Sequence, residues 1–317
     1  MTGVQRRTWR PGFAVDVRGT LAVFGRRGYD PAQRIGPDGA VWRAVRTPDG
    51  PATMRVAAPG GGVDLAAWGP GAAWALAALP AWLGAEDRPS EFRPQHPLLE
   101  RALKQNPGLR IGRSGLIMDA LVPAILEQKV TGREASRSWR SLLMRHGEPA
   151  PGPAPEPAAA DAPSRSAPAE LRVMPAPEAL RMLPSWEWHR LGVGPQRAET
   201  IVRAARVARR LEEAAAMAPD DAATRLQAVP GIGPWTAAEV IQRALGDPDT
   251  VSVGDFGLPG LVSYTLTGER TADDARMLEL LEPYRGQRYR ACLLIERAGV
   301  KRPRRGPRQP IRDFRRM

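Results

Sequence analysis

The spacing of apolar side chains changes character near residue 95. Before that point, short alternating runs at 13–17, 21–24, 41–47 and 52–56 are separated by Gly, Pro and Asp. This period of two predicts antiparallel strands, with Pro48-Asp49-Gly50-Pro51 as a turn. Residues 65–83 place Leu65, Trp68, Leu76, Leu79 and Leu83 among many alanines, which predicts a helix covering one face of the sheet. Residues 1–95 thus read as a small N-terminal α+β domain with an antiparallel sheet.

From 96 to 299 the pattern is helical, and the boundary falls in the proline-bearing stretch 88–97. A helix is predicted over 115–128, with Leu116, Leu121, Ile125 and Leu126 apolar. Thr131-Gly132-Arg133-Glu134 has the form of a capping box, and Ala135, Trp139, Leu142 and Leu143 supply the next apolar stripe. Two helices therefore meet at a short polar turn, Glu127 to Thr131. Residues 147–170 are dominated by Pro, Ala and small polar residues, and predict a disordered insertion within the helical domain. Further helices are expected at 177–182 and 195–213, the latter with Pro195 at its first position. Asp220 or Asp221 is expected to cap a short helix carrying Leu226 and Val229. Past Asp255 a helix should reach Leu266, another should start at Thr271-Ala272-Asp273-Asp274, and the last should end at Gly299. Residues 300–317 form a basic, proline-interrupted tail.

Composition adds a partner. The 317 residues carry 46 Lys plus Arg against 34 Asp plus Glu, a net charge of +12, which points to a polyanion. The single cysteine, Cys292, lies in an apolar helical run and reads as a buried small hydrophobe; disulfide frameworks, four-cysteine zinc sites and iron–sulfur clusters are excluded within the chain. With three histidines and no ligand spacing among them, no metal site is indicated. No apolar run reaches 18 residues and no signal-peptide pattern opens the chain, so a soluble cytoplasmic protein is expected.

The most informative stretch is LQAVPGIGPWTAAEVIQRALGDPDTVSVGDFGL, residues 226–258. Pro230 breaks a helical pattern, Gly231-Ile232-Gly233 makes a turn, and Pro234 starts a new helix. The glycines allow positive φ and close approach, while the new helix offers unpaired N–H groups and a positive dipole end, a combination that binds a backbone phosphate without reading sequence. The stretch is neither a Walker A loop nor a dinucleotide fingerprint, because no Gly-Lys-Ser/Thr follows and the third glycine is missing. Further on, spacing alone leaves Asp255 equally readable as an N-cap and as a catalytic carboxylate.

VPGIGPWTAAEVIQRAL followed by VSVGDFGL resembles the helix-hairpin-helix plus Gly/Pro/Asp signature of a DNA glycosylase superfamily, and most closely its alkylated-base (3-methyladenine) branch. ALVPAILEQKVTG is similar to that family's helix and intercalating turn, and MPAPEALRMLPSWEWHRLGVGPQRAETIVRAA to its central helices. The resemblance covers most of the chain except the insertion and the tail, specifically in the helical half and loosely in the first 95 residues. It implies a mainly α fold, the helical glycosylase fold, behind a smaller N-terminal α+β domain.

The resemblance also implies roles. Asp255 would stabilise oxocarbenium character at the sugar C1′ and orient the attacking water. Gly231, Ile232, Gly233 and Thr236 would hold a DNA phosphate, with a monovalent cation at the hairpin carbonyls and no other metal or cofactor. Bifunctional members carry a lysine where this chain has Trp235, so no Schiff base is expected; Trp235 would wall the base pocket, core packing being its other reading. Glu239 and Ile295, the latter followed by Glu296, stand where the branch places pocket aromatics. Lys129 takes the wedge position, so Gln128 or the lysine stem would fill the gap left by a flipped base, a plain helix-connecting turn being the other reading. The implied activity is that of a monomeric, nucleoid-associated, monofunctional glycosylase excising a damaged, alkylated purine from double-stranded DNA. A non-catalytic module that binds bent or damaged DNA is the other reading.

Overall fold

A computed structural model of the chain describes residues 3–26, 29–153 and 171–300. The core of the expected insertion, 154–170, and nearly all of the basic tail, 301–317, lie outside the described residues. The N-terminal sheet contains β1 (Gln5–Trp9), β2 (Gln33–Ile35), β3 (Val41–Thr47), β4 (Gly50–Ala57) and β5 (Val63–Trp68), in the order β1-β5-β4-β3-β2 with antiparallel neighbours throughout. The β3–β4 hairpin turns where Pro48-Asp49-Gly50 predicts it, closed by the Thr47 hydroxyl donating to the Gly50 carbonyl at 2.8 Å.

Both faces of β3 are covered, which is why its sequence shows no outward polar row. Val41 and Val45 pack with Leu79 and Trp82 of α2 (Ala72–Trp82). Trp42 and Ala44 face the other way, where Trp68 stacks on Trp42 at 5.5 Å and Leu171 and Val173 complete a small core.

Two expectations fail in this half. Leu65 and Trp68 belong to β5 rather than to a helix, since pairing with β1 on one side and β4 on the other outweighs the helical propensity of Ala66 and Ala67. Residues 13–17 and 21–24 are not strands either. Asp16 accepts the Gly19 amide at 2.9 Å and caps α1 (Val17–Leu21), so Val17, Leu21 and Phe24 follow a helical rather than an alternating spacing.

The helical half comprises α3 (Pro97–Gln105), α4 (Ile117–Glu127), α5 (Gly132–His146), α6 (Pro177–Met182), α7 (Ser185–Arg190), α8 (Pro195–Arg206), α9 (Ala208–Glu212), α10 (Pro219–Gln227), α11 (Pro234–Val240), α12 (Leu258–Thr267), α13 (Asp274–Leu281) and α14 (Arg288–Arg297). They gather around two cores. In the first, α4 is buried along almost its whole length against α5, α8, α9 and α11, as an all-round apolar helix must be. No side chain of its own caps α4; the Glu212 carboxylate of α9 accepts the Ile117 and Met118 amides, each at 2.9 Å. Burial pushes the Glu212 carboxyl above its usual range in spite of those two donors. The second core joins α3, α12, α13 and α14.

The capping box at Thr131 and Glu134 forms as expected, with both reciprocal bonds present. Asp220 and Asp221 are not the cap of α10: Ala218 precedes Pro219 at the first helical position, and the two aspartates lie in the first turn, where they still complement the dipole. The expected helix over 195–213 is divided at Val207 into α8 and α9. The first residues of the expected insertion are ordered instead: Glu148–Pro149 pair antiparallel with Arg172–Val173 and bring the two flanks together under the sheet.

The sheet unit is bonded to both helical cores. Arg43 of β3 donates to the Phe24 carbonyl at 2.9 Å and forms a buried ion pair with Asp119 of α4. The Trp139 indole donates to Asp30 at 2.9 Å, Arg243 reaches the Val23 carbonyl at 3.1 Å, and Arg297 of α14 the Gly19 carbonyl at 2.8 Å.

Candidate active site

The α10–α11 hairpin is anchored from inside. Val229 and Ile232 are buried in the first core, and the Ile232 amide donates to the Val229 carbonyl at 3.0 Å, so the glycines are carried on a fixed turn. Gly231 sits at φ 99°, and a Cβ there would lie 2.1 Å from the Thr200 hydroxyl of α8; conformation and space both demand glycine. Gly233 has an ordinary extended backbone, φ −97°, and open space where its Cβ would be, so its role is close approach rather than unusual geometry. No side chain caps α11, and Pro234 occupies its first position, leaving its leading amides without a side-chain partner.

Ile232 is offered to a phosphate by its backbone alone, since its side chain is core, while Thr236 points elsewhere: it is 2% exposed, its hydroxyl accepting a hydrogen bond from Gln128 Nε2 at 2.8 Å. The same Gln128 nitrogen donates to the Gly231 carbonyl at 2.9 Å, which ties the turn after α4 to the hairpin. Beside it, Lys129 is exposed and stands at φ 54°, the one non-glycine residue with positive φ among the described residues. Such a conformation in a lysine persists only where the surroundings impose it. The apex carbonyls fit a cation poorly: Val229 and Gly231 already accept N–H donors, and the Arg203 guanidinium reaches Pro230 O at 3.5 Å. No His, Cys, Asp and Glu cluster among the described residues could hold a metal.

The chain crosses from the first core to the second through residues 246–257, and Asp255 sits near the end of that crossing. Gly254 before it takes φ 89°, and its amide donates to Asp274 Oδ2 of α13 at 3.0 Å. Asp255 Oδ1 accepts the Gly257 and Leu258 amides at 2.7 and 2.8 Å at the start of α12. Its other oxygen, Oδ2, accepts the Trp235 indole N–H of α11 at 3.1 Å. The carboxylate thus joins the hairpin helix to the second core, half-buried, while the adjoining Phe256 is 96% exposed.

Glu239, one helical turn beyond Trp235, is bound into a network rather than presented as a free charge. Its Oε1 accepts from Ser252 at 2.6 Å and its Oε2 pairs with Arg243 at 2.8 Å, while Gln242 donates to Ser252 at 3.0 Å and to the Thr250 carbonyl at 2.9 Å. Burial disfavours the Arg243 charge, but Glu239, Tyr289 and Glu127 outweigh it and hold the guanidinium more firmly protonated than usual. Beneath the site, burial pushes the Tyr289 hydroxyl up to about 12 against the opposing charge of Arg243, and raises the Cys292 thiol, whose expected burial is observed. Ile295 departs from its expected place: it is fully enclosed in the second core and offers no surface to a base. Gln242, Ser252 and Asp274, which hold the Asp255 loop, carried no sequence signal; each is an ordinary polar residue whose partner is remote or in an irregular segment.

No family model matches the chain. A 34-residue stretch is 53% identical to a Mycobacterium tuberculosis protein named "Probable bifunctional transcriptional activator/DNA repair enzyme AlkA", covering 11% of this chain and only 7% of that relative. Solved structures match the whole fold. A 3-methyladenine DNA-glycosylase from Archaeoglobus fulgidus superposes with a TM-score of 0.71 at 17% identity, over 93% of this chain and 98% of that one. A Clostridium acetobutylicum 8-oxoguanine glycosylase/lyase in complex with double-stranded DNA gives 0.68 at 11% identity, over 93% and 96%. At these identities the likeness is one of fold: the chain folds as the helix-hairpin-helix DNA glycosylases do.

Proposed function

We propose that this chain is a DNA glycosylase that flips a damaged base out of the duplex and hydrolyses its N-glycosidic bond. The observation that carries the reading is the Asp255 carboxylate, oriented by the Trp235 indole from one core and by two α12 amides from the other. As the bond to the base breaks, positive charge develops at C1′ and the ring oxygen, and a carboxylate held beside the sugar stabilises it. Water then adds at C1′, its proton leaves, and the electron pair of the broken bond departs with the base, leaving an abasic site. The same carboxylate orients that water.

Phosphate binding falls to the backbone at Gly231 to Gly233 and the uncapped start of α11, and Gln128 with Lys129 forms the turn that enters the gap left by the base. With Trp235 in place of a nucleophilic lysine and only Lys104, Lys129 and Lys301 in the chain, the reaction is monofunctional, without strand cleavage. We assign an alkylated purine as substrate, since departure of a cationic base neutralises it and needs little acid from the protein. The Trp235 face serves as one wall for such an electron-poor ring. The fold neighbours include proteins named for 3-methyladenine and for 8-oxoguanine, so the lesion is chosen by the pocket and not by the fold.

The test is base release from duplexes carrying 3-methyladenine, 7-methylguanine, hypoxanthine or 8-oxoguanine. Release by the wild type that disappears in Asp255→Asn is expected; equal background release by both proteins across the panel sinks the reading. A non-catalytic DNA-binding module is favoured instead if the wild type binds duplex with strong salt dependence and releases nothing.

A further inference from the structure

The outer face of α5 carries Arg133, Arg137 and Arg140, which at this spacing fall in a single stripe opposite the buried Ala135, Ser138, Trp139, Leu142 and Leu143. All three arginines are exposed, and none enters an ion pair among the described residues. The one acid of the helix, Glu134, is engaged by Thr131 in the capping box. The stripe starts four residues after Lys129, on the turn that Gln128 ties to the hairpin. At its far end the Arg140 guanidinium lies 4.4 Å from the centroid of the Tyr29 ring, over which Arg34 of β2 also sits at 3.1 Å. The Trp139–Asp30 bond fixes that corner against the sheet unit. From the wedge turn, tied to the hairpin, the exposed α5 stripe thus runs to the sheet edge at Tyr29 and Arg34, and the stripe itself is cationic.

We propose that this stripe is a second DNA-backbone site, which takes phosphates of the same duplex beyond the wedge turn and brings the N-terminal sheet unit into the footprint through Arg34 and Tyr29. From Arg133 to Arg140 the helix rises about 10 Å, which spans about three nucleotide steps at 3.4 Å per strand. Three guanidiniums on exposed stems can thus reach three of the phosphates within that span. Such binding carries no base information, so the stripe contributes affinity and register rather than lesion choice. This inference rests on the DNA-glycosylase reading, but it concerns binding alone and is tested on binding.

The experiment compares the wild-type full chain with Arg133→Gln/Arg137→Gln/Arg140→Gln on undamaged duplex, by fluorescence anisotropy between 50 and 200 mM salt. The expected result is an affinity about tenfold weaker and a slope of log K against log salt reduced by about 2 to 3, near 0.9 for each phosphate that the protein no longer neutralises. Base release at saturating enzyme should stay within about twofold of wild type. Arg137→Gln alone, removing one exposed side chain, should show about one third of the slope change and covers the case of a misfolded triple variant. Unchanged affinity and slope in the variants, against a wild type that does bind and release a base, would overturn the stripe and leave the glycosylase reading standing. A wild type with no affinity for duplex overturns both.

Discussion

Asp255 and Asp273 stand at the starts of consecutive helices, and their differences are more instructive than their likeness. Asp273 is exposed and accepts the Arg276 amide at 2.9 Å, an ordinary N-cap of α13. Asp255 accepts two amides at the start of α12 with one oxygen, and is a cap to that extent. Its second oxygen reaches Trp235 on a helix of the other core, and its loop is held by Asp274, Ser252, Gln242 and Glu239. Capping is therefore common to both residues, and what separates a helix end from a candidate reaction centre is the cross-core partner of the remaining oxygen.

That contrast can be broken first at Asp255 itself. Asp255→Asn keeps a capping side chain but removes the charge, and should lower single-turnover base release by about a hundredfold or more, with little change in thermal midpoint. Equal loss in Asp273→Asn would show that helix-start integrity, not the carboxylate, is what matters. Next, Trp235→Phe keeps a ring and deletes the N–H donor. Release should fall about tenfold, the worth of one hydrogen bond to a charged group, chiefly in kcat. An unchanged rate would reduce the indole contact to packing. Asp273→Ala should cost about 1 kcal/mol of stability in urea titration and leave base release within about twofold, the inverse of the Asp255 result.

The smallest effect lies beside the network under Asp255. Tyr289 should titrate near 12, seen as the slow tyrosinate absorbance component missing from Tyr289→Phe. Its folded pKa lies above the ordinary value of 10.0, so the folded state keeps the proton longer. The stability this provides is complete below pH 10 and is lost as pH rises towards 12. Tyr289→Phe should flatten that fall, and a Tyr289 that titrates normally would place it in contact with water.

Legibility in the sequence followed the range of the interactions. The capping box at Thr131, the start of α13, the β3–β4 turn and the hairpin glycine all depend on residues within a few positions of one another, and each is readable as a pattern. Residues 65–68 read as the start of a helix because alanine favours helix locally, whereas pairing with β1, nearly sixty residues earlier, decides the outcome. Ile295 was misplaced for a related reason, since its helix is apolar on more than one side and only packing determines which residues are enclosed.

The sequence by itself determined the hairpin, the order of the helices, the position of Asp255 past the hairpin and the cationic character of the whole chain, because these are properties of spacing and composition. Only the tertiary structure decided that Thr236 faces Gln128, that Glu239 is neutralised by Arg243 and Ser252, and that Asp255 meets Trp235 across two cores. Those pairings arise where separate helices are brought together by the burial of their apolar faces, and the polar residues at the junction are paired as a consequence of that packing.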